Sequence, residues 1–279
     1  MKIAVVLNYC NYNNTITCVK RLLKAGIEKV IVVDNASPND SVDQLRATFN
    51  QNNAIVLIFS SQNKGYAAGN NLGLHYIDEN CGRNNIIFIV NPDVVVNRVV
   101  ITKIADFINV TPNAGMVTVR ANDTIKNVWK QPSRLRGWVM NSHLLKWLLA
   151  RLHISEMSYY KVEQPIQKVD VVLGAFFGIR QSTFRTVGYF DPGTFLYYEE
   201  EILACKLKQK DFQNYILTAM SYQHVGQTST KLRRLSRDMI YQKSRLYFFK
   251  KYNHAGNMYV ASYKVVNKID NALRRLFNF

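Results

Sequence analysis

Short apolar runs ending on Asn or Asp, separated by stretches of helical spacing, limit what this chain can fold into more than any other feature. Residues 3–7, 30–33 and 86–90 read Ile-Ala-Val-Val-Leu, Val-Ile-Val-Val and Ile-Ile-Phe-Ile-Val, and they run into Asn8-Tyr9, Asp34 and Asn91-Pro92-Asp93. Unbroken, β-branched runs of this length are strands covered on both faces. Between the first two, Asn13 and Asn14 offer caps for a helix with Val19, Leu22 and Leu23 on one face, ending near Gly26. Strand, helix and strand make a right-handed βαβ unit. The pattern continues through a turn-rich loop at 34–41, a helix spaced by Val42, Leu45 and Phe49, and a strand at 54–59. Next, Asn63-Lys64-Gly65-Tyr66-Ala67-Ala68-Gly69-Asn70-Asn71 opens a helix carrying Leu72 and Leu74. The fold class is α/β, with a Rossmann-like nucleotide-binding half. Ligands in such sheets bind beyond the carboxyl ends of the strands, so Asp93 faces the crevice, and Asp34 ends its strand in the same way. No G-x-G-x-x-G follows the first strand, which argues against NAD. Backbone amides at the helix opening, with Lys64 nearby, suit a diphosphate. Asn-Pro-Asp is also ordinary turn chemistry, and that reading stays open.

Further along, 101–110 is spaced as a helix and 115–119 as a strand, whereas the pattern from about 121 to 167 assigns no fold. Residues 169–179 read as one strand bending at Gly174 and Gly178, and 181–186 as a short helix. Tyr197-Tyr198-Glu199-Glu200-Glu201 leads into another helix, whose dipole by itself explains one or two of its carboxylates. His224 follows a strand-like stretch at 215–218. The net charge of +17 is concentrated from Lys231 onward, where two helical segments interleave Lys and Arg with Tyr241, Tyr247, Phe248, Phe249, Tyr252, Tyr259 and Tyr263. Such a surplus favours polyanions: nucleic acid, anionic lipid or phosphorylated substrates. Nucleic acid fits poorly with Asp34, Asp93 and Glu199 to Glu201 in one crevice, because carboxylates repel phosphates without a metal. The four cysteines are scattered, and the chain enters a strand directly with no secretory signal, so reduced thiols and a cytoplasmic location are expected. No apolar run is long enough to span a bilayer.

Together these stretches resemble glycosyltransferase family 2, the inverting GT-A enzymes, and within it the bacterial rhamnosyltransferase-like branch. The likeness covers residues 2–229 and rests on Asn8-Tyr9, Val33-Asp34-Asn35-Ala36-Ser37, the Asn63 to Asn71 segment, Asn91-Pro92-Asp93, Leu173-Gly174-Ala175-Phe176-Phe177, the acidic cluster and His224, in family order. It implies a GT-A fold with a mixed central sheet: a nucleotide-sugar-binding half at 1–120, an acceptor and catalytic half at 121–229, and a basic helical extension at 230–279. Asn8, Tyr9, Asp34, Asn35, Asn63, Lys64, Gly65, Asn70 and Asn91 would line the nucleotide-sugar site, with Asp34 accepting from a pyrimidine imide N–H. Asn91-Pro92-Asp93 stands at the family's D-x-D motif with Asn for the first Asp, making Asp93 a ligand of Mg²⁺ or Mn²⁺ and His224 a second one. Glu200 matches the general base and Glu199 its helper, while Ile202 replaces an Asp found in many relatives. The implied activity is metal-dependent, inverting transfer from dTDP-rhamnose or a UDP-hexose to a glycan or lipid-linked glycan of surface polysaccharide. A catalytically silent nucleotide-sugar or glycan-binding relative is the alternative. For the tail two readings stand: peripheral attachment to the inner face of the cell membrane, or helices that pack on the catalytic domain or form a homodimer.

Overall fold

The computed structural model describes residues 1–154, 158–226 and 234–277. The segment 227–233, with the expected boundary at 229 and the first basic residues of the tail, lies outside them. The strands are β1 (Lys2–Asn8), β2 (Lys29–Asp34), β3 (Ile55–Phe59), β4 (Ile86–Val90), β5 (Val94–Val95), β6 (Ala114–Ala121), β7 (Val128–Trp129), β8 (Ile166–Val169), β9 (Val171–Val172), β10 (Phe176–Arg180) and β11 (Gln213–His224). The helices are α1 (Tyr12–Lys24), α2 (Ser41–Phe49), α3 (Tyr66–Asn80), α4 (Arg98–Val110), α5 (Arg134–Val139), α6 (His143–Arg151), α7 (Gln181–Thr186), α8 (Glu199–Lys208), α9 (Arg234–Lys251) and α10 (Asn257–Phe277).

Among the described residues the central sheet has the order β3-β2-β1-β4-β10-β6-β11, with β5 and β8 both paired to β11. β1, β2, β3 and β4 are mutually parallel, and β11 is parallel to β6. β10 alone runs antiparallel between β4 and β6. The carboxyl ends of the parallel strands therefore share one edge, and the start of β10 joins them there. Alternate residues of each strand feed opposite layers, as the pleat requires. Ala4 and Val6 pack with α1, α2 and α4, whereas Ile3 and Val5 pack with α3, α7 and α8.

Several sequence expectations change. The strand read at 169–179 is two short strands and a turn before β10, because Asp170 and Gly174 break the apolar run. The helix α1 opens at Tyr12, so Asn11, not Asn13 or Asn14, stands at its cap position. Leu72 is exposed on α3, whereas Leu74 is buried in the core as expected, and Gly69 and Gly73 beside it let the helix approach Leu7 and Val5 closely. β11 runs well beyond 215–218. Its register against β6 shifts between Leu217 and Ser221, which turns its end onto β5 and sets His224 opposite Val94. The unassigned middle holds β7, α5 and α6.

The tail aromatics turn inward. Phe248 and Phe249 pack with Tyr198 and Ile202 of the acidic segment, and Tyr241, Tyr247, Tyr252 and Tyr259 lie against the same cluster. Arg245 is fully buried beside them: Nε donates to Tyr198 Oη at 3.1 Å, Nη1 donates to the Met140 carbonyl at 2.7 Å, and the guanidinium stacks 4.7 Å from the Tyr241 ring centre. A second tie comes from Asp191, which accepts from Tyr247, Tyr252 and Lys251 of α9 and its end. Among the described residues no helix is long and apolar enough to cross a membrane.

Removing a buried, hydrogen-bonded cation's partners or the cation itself leaves polar groups stranded. Arg245→Met is expected to lower the unfolding free energy by about 2–4 kcal/mol, read from urea denaturation, whereas Lys250→Met at the exposed end of α9 changes it little.

Candidate active site

The shared sheet edge gathers most of the residues singled out from sequence. Asn8, buried at the end of β1, donates from Nδ2 to Asp34 Oδ2 at 2.7 Å and accepts from Thr15 Oγ1 at 2.7 Å. Asp34 also accepts from the Ser37 amide at 2.9 Å and the Ser37 hydroxyl at 2.7 Å. At 1% exposure and with these donors, its carboxylate ties the strand ends to the following turn. Of roughly four lone-pair positions on a carboxylate, one is left for an outside N–H. Asn35 donates to Asn63 Oδ1 at 3.0 Å and to the Gly65 carbonyl at 3.2 Å, which fixes the loop ahead of α3.

That loop is rigid for a steric reason. Gly65 has φ +97°, and a Cβ there would lie 2.1 Å from the Phe195 carbonyl oxygen. The Gly65 and Tyr66 amides, expected near a phosphate, donate to Asn63 Oδ1 and to Phe195 O within the protein. Lys64 is exposed, and Asn70 is buried, donating to the Tyr66 carbonyl at 3.0 Å. Tyr9 is partly exposed beside the buried Asn8.

Asp93 and His224 come together from residues 131 apart in sequence. Nε2 of His224 lies 3.3 Å from Oδ2 of Asp93, and both side chains are only partly exposed. The imidazole's backbone is fixed by β5 and by Asn122, whose Oδ1 accepts from the His224 amide at 2.8 Å and whose Nδ2 donates to its carbonyl at 2.9 Å. Cis ligands about 2.1 Å from a small divalent ion are about 3 Å apart, so the pair fits two positions of such a cation. Among the described residues no group of three or more His, Cys, Asp or Glu gathers around a point. The remaining positions would fall to water and phosphate oxygens, as hard cations at nucleotide sites prefer.

The link from this pair to the acidic cluster runs through Tyr66 and Gly174. Tyr66 Oη donates to the Gly174 carbonyl at 2.8 Å and lies 3.3 Å from Asn91 Oδ1. The Asn91 amide donates to the Ala175 carbonyl at 2.8 Å, and the Gly174 amide donates to Glu200 Oε1 at 3.0 Å. Gly174 permits the approach, since a Cβ there would sit 2.9 Å from that oxygen. Burial pushes the Tyr66 hydroxyl well above its ordinary pKa, and the charges of Glu200, Glu199 and Asp93 push the same way. Both halves of the site thus act on one hydroxyl.

Three successive carboxylates on one helix turn point about 100° apart and meet three environments. Glu199 is buried, and its Oε1 has no hydrogen-bond partner among the described residues. Burial first, then the neighbouring Glu200, raise its pKa well above the carboxylate range. Glu201 is buried and accepts from Trp129 Nε1 at 3.1 Å; burial and Glu200 push it up to about 8. Glu200 is partly exposed, raised by burial and drawn back by the Gly174 amide. The helix is entered through Tyr197 and Tyr198, both in the left-handed region at φ 72° and 70°, a strain that non-glycine residues hold only when their surroundings enforce it. Here Ser244 donates to the Leu196 carbonyl at 2.8 Å and Arg245 holds Tyr198. Tyr66, Gly174 and Asn122 join the site from outside the predicted set. Gly174 carried a signal, a glycine inside a strand-like run.

The sequence matches the glycosyl transferase family 2 profile over residues 4–188. The chain belongs to glycosyl transferase family 2. It is 25% identical over 228 residues to the low-salt glycan biosynthesis hexosyltransferase Agl10 of Haloferax volcanii, covering 80% of this chain and 68% of that one. Among solved structures, the mannosyltransferase PcManGT of Pyrobaculum calidifontis, in complex with GDP-Man and Mn²⁺, superposes with TM-score 0.62 at 11% identity, over 97% of this chain and 73% of that one. GalNAc-T7 with UDP, GalNAc and Mn²⁺ gives 0.63 at 12% identity, over 91% of this chain and 49% of that one. S. aureus TarS residues 1–349 with UDP-GlcNAc gives 0.51 at 13% identity, over 92% and 75%. The fold is that of these GT-A glycosyltransferases, with a mixed central sheet.

Glu201 couples this site to stability. Native Glu201 keeps its proton up to about pH 8, whereas the unfolded chain loses it near the ordinary 4.5. Between those values the folded state binds more protons, so stability falls as pH rises through that window. Thermal melts between about pH 5 and 8 are expected to show a smaller alkaline loss in Glu201→Gln than in the wild type.

Proposed function

We propose that this family 2 glycosyltransferase moves a hexose from a nucleoside-diphosphate donor to a hydroxyl of a glycan or lipid-linked glycan, with inversion at the anomeric carbon. One observation carries the reading. A partly exposed carboxylate of raised pKa, Glu200, lies across Gly174 and Tyr66 from the Asp93 and His224 pair. Relatives support the donor class: PcManGT was solved with GDP-Man and TarS with UDP-GlcNAc. The name of the Haloferax volcanii relative supports hexosyl transfer in glycan synthesis. Within that class dTDP-rhamnose and UDP-hexoses are the donors to test first.

In this reading the nucleotide lies along the ends of β1 and β2, where Asp34 keeps one lone pair for an imide N–H. Ionised Glu200 accepts the proton of the acceptor hydroxyl while that oxygen forms its bond to the anomeric carbon. The carbon's bond to the diphosphate oxygen breaks on the opposite face, which inverts the configuration. The Gly174 amide holds Glu200 in place and favours its ionised form against the effect of burial. Asp93 and His224 would hold Mn²⁺ or Mg²⁺, which when bound offsets charge on the departing diphosphate. Glu199 lies buried beside the base, where burial and the neighbouring Glu200 favour its neutral form.

A lipid-linked acceptor would bring the enzyme to the inner face of the cell membrane. The domain division at 120 and 229 follows the same proposal, with the donor half before it and the acceptor half after.

Glu200→Gln is expected to bind donor normally, by thermal shift, and to lose about 10²–10⁴-fold in transfer rate; wild-type transfer by this variant would remove Glu200 from the role. The acid limb of the wild-type rate profile should lie above the ordinary carboxylate pKa. For Asp93→Ala the expected result is loss of the Mn²⁺-dependent part of the donor-induced thermal shift. A metal-dependent shift that survives this change would eliminate Asp93 as a ligand.

A further inference from the structure

Helix α10 packs on the protein through the rings of Tyr259 and Tyr263 and through polar contacts, yet leaves apolar residues facing outward. Its protein-facing side carries polar contacts: Trp138 Nε1 donates to Ser262 Oγ at 3.0 Å, Asn141 Nδ2 to the Tyr263 carbonyl at 2.8 Å, Asn267 Nδ2 to Asn141 Oδ1 at 3.3 Å, and Ser142 Oγ to Asp270 Oδ1 at 3.3 Å. Its outward side carries the apolar residues. Met258, Val265, Ile269 and Leu273 are 87%, 57%, 55% and 43% exposed, and at spacings of seven, four and four they form one stripe. Lys264 and Lys268, one turn apart and exposed, flank that stripe on one side. On α6, whose N-terminal cap Ser142 touches α10, Trp147, Leu148 and Leu152 are also exposed, and the Arg151 guanidinium stacks 3.9 Å from the Trp147 ring centre.

We infer that the outward face of α10 is the surface on which this enzyme lies on an anionic phospholipid bilayer. An interfacial helix needs an apolar stripe that enters the acyl boundary and cations that reach up to the headgroups. Lysine does so by extending its stem along the apolar surface. The charge of +17 favours an anionic sheet over a second copy, which would bring Lys264 and Lys268 toward their own counterparts. The tail's buried rings take no part, since Phe248 and Phe249 hold α9 to the acidic segment while Tyr259 and Tyr263 hold α10 to α9. This inference deepens the lipid-linked acceptor reading and rests on it for its purpose, while its chemistry stands on α10 alone.

The full-length chain, sedimented with vesicles of phosphatidylcholine containing phosphatidylglycerol, is expected to bind in a salt-sensitive way and to bind phosphatidylcholine alone much less. Val265→Ser with Ile269→Ser should lower the partition coefficient about tenfold, and Lys264→Glu with Lys268→Glu should abolish the preference for anionic lipid. Binding by both variants equal to wild type overturns the proposal, as does wild-type protein that ignores anionic vesicles. So does a wild-type dimer that the Val265 and Ile269 changes convert to monomer. Nucleotide-sugar thermal shifts on the same proteins keep the two readings apart: all should respond to donor alike. A wild type that binds vesicles but no donor overturns the glycosyltransferase reading and leaves the membrane face standing.

Discussion

The antiparallel insertion of β10 between β4 and β6 holds the two halves of the site in one frame. Running against its neighbours, β10 starts where β4 ends, so the residues before it fall on the carboxyl edge of the sheet. The hydrogen bond from the Asn91 amide to Ala175 closes that join. One residue earlier, Gly174 offers its carbonyl to Tyr66 and its amide to Glu200. A parallel strand in this position would carry its first residues to the far edge, about 17 Å away for a strand of five residues. Glu200 would then have no backbone donor from this strand, and the Asp93 turn no link to the acidic cluster.

Electrostatics explains why a run of acidic residues can sit there. Three charges in succession at one partly buried helix start would repel each other, and desolvation opposes each of them. The helix dipole offsets part of this. The structure divides the rest unequally. Glu199 and Glu201 are buried, and burial raises both well toward the neutral form. Glu200 alone combines access to solvent with an amide donor that favours the ionised state. Favouring the neutral form at Glu199 and Glu201 is a lower-energy arrangement than three anions, and it leaves Glu200 as the carboxylate whose ionised form the protein supports.

Much of the framework was legible in the sequence because its signals are local. Buried parallel strands announce themselves as unbroken apolar runs, and their ends mark the ligand edge, so Asp34 and Asp93 could be placed at strand ends from residue order alone. Asp34 nevertheless sits 1% exposed and bound to Asn8 and Ser37, a satisfaction that composition cannot reveal. His224 had no local signal, since its approach to Asp93 depends on a register shift inside β11 and on pairing with β5. The resemblance marked Glu200 as the base; only the structure shows what separates it from its neighbours, because the Gly174 amide that does so comes from 26 residues earlier. Arg245 was hidden most completely. In a tail crowded with Lys and Arg it read as surface charge, and it is the most deeply buried cation described.

The profile that defines the family match ends at residue 188, short of the acidic cluster. Donor-side strands and β10 lie within the matched stretch, whereas Tyr197, Tyr198 and Glu200 lie beyond it. What fixes that later segment is α9: Arg245 on Tyr198, Ser244 on Leu196, and the Phe248 and Phe249 rings behind them. Two consecutive left-handed tyrosines are costly without such support. The geometry around Glu200 is therefore set by a helix outside the matched stretch, and α9 continues into α10 through a short turn. Tyr259 and Tyr263 of α10 in turn meet Phe249 and Gln242 of α9, so the last helix braces the one that supports the acidic segment.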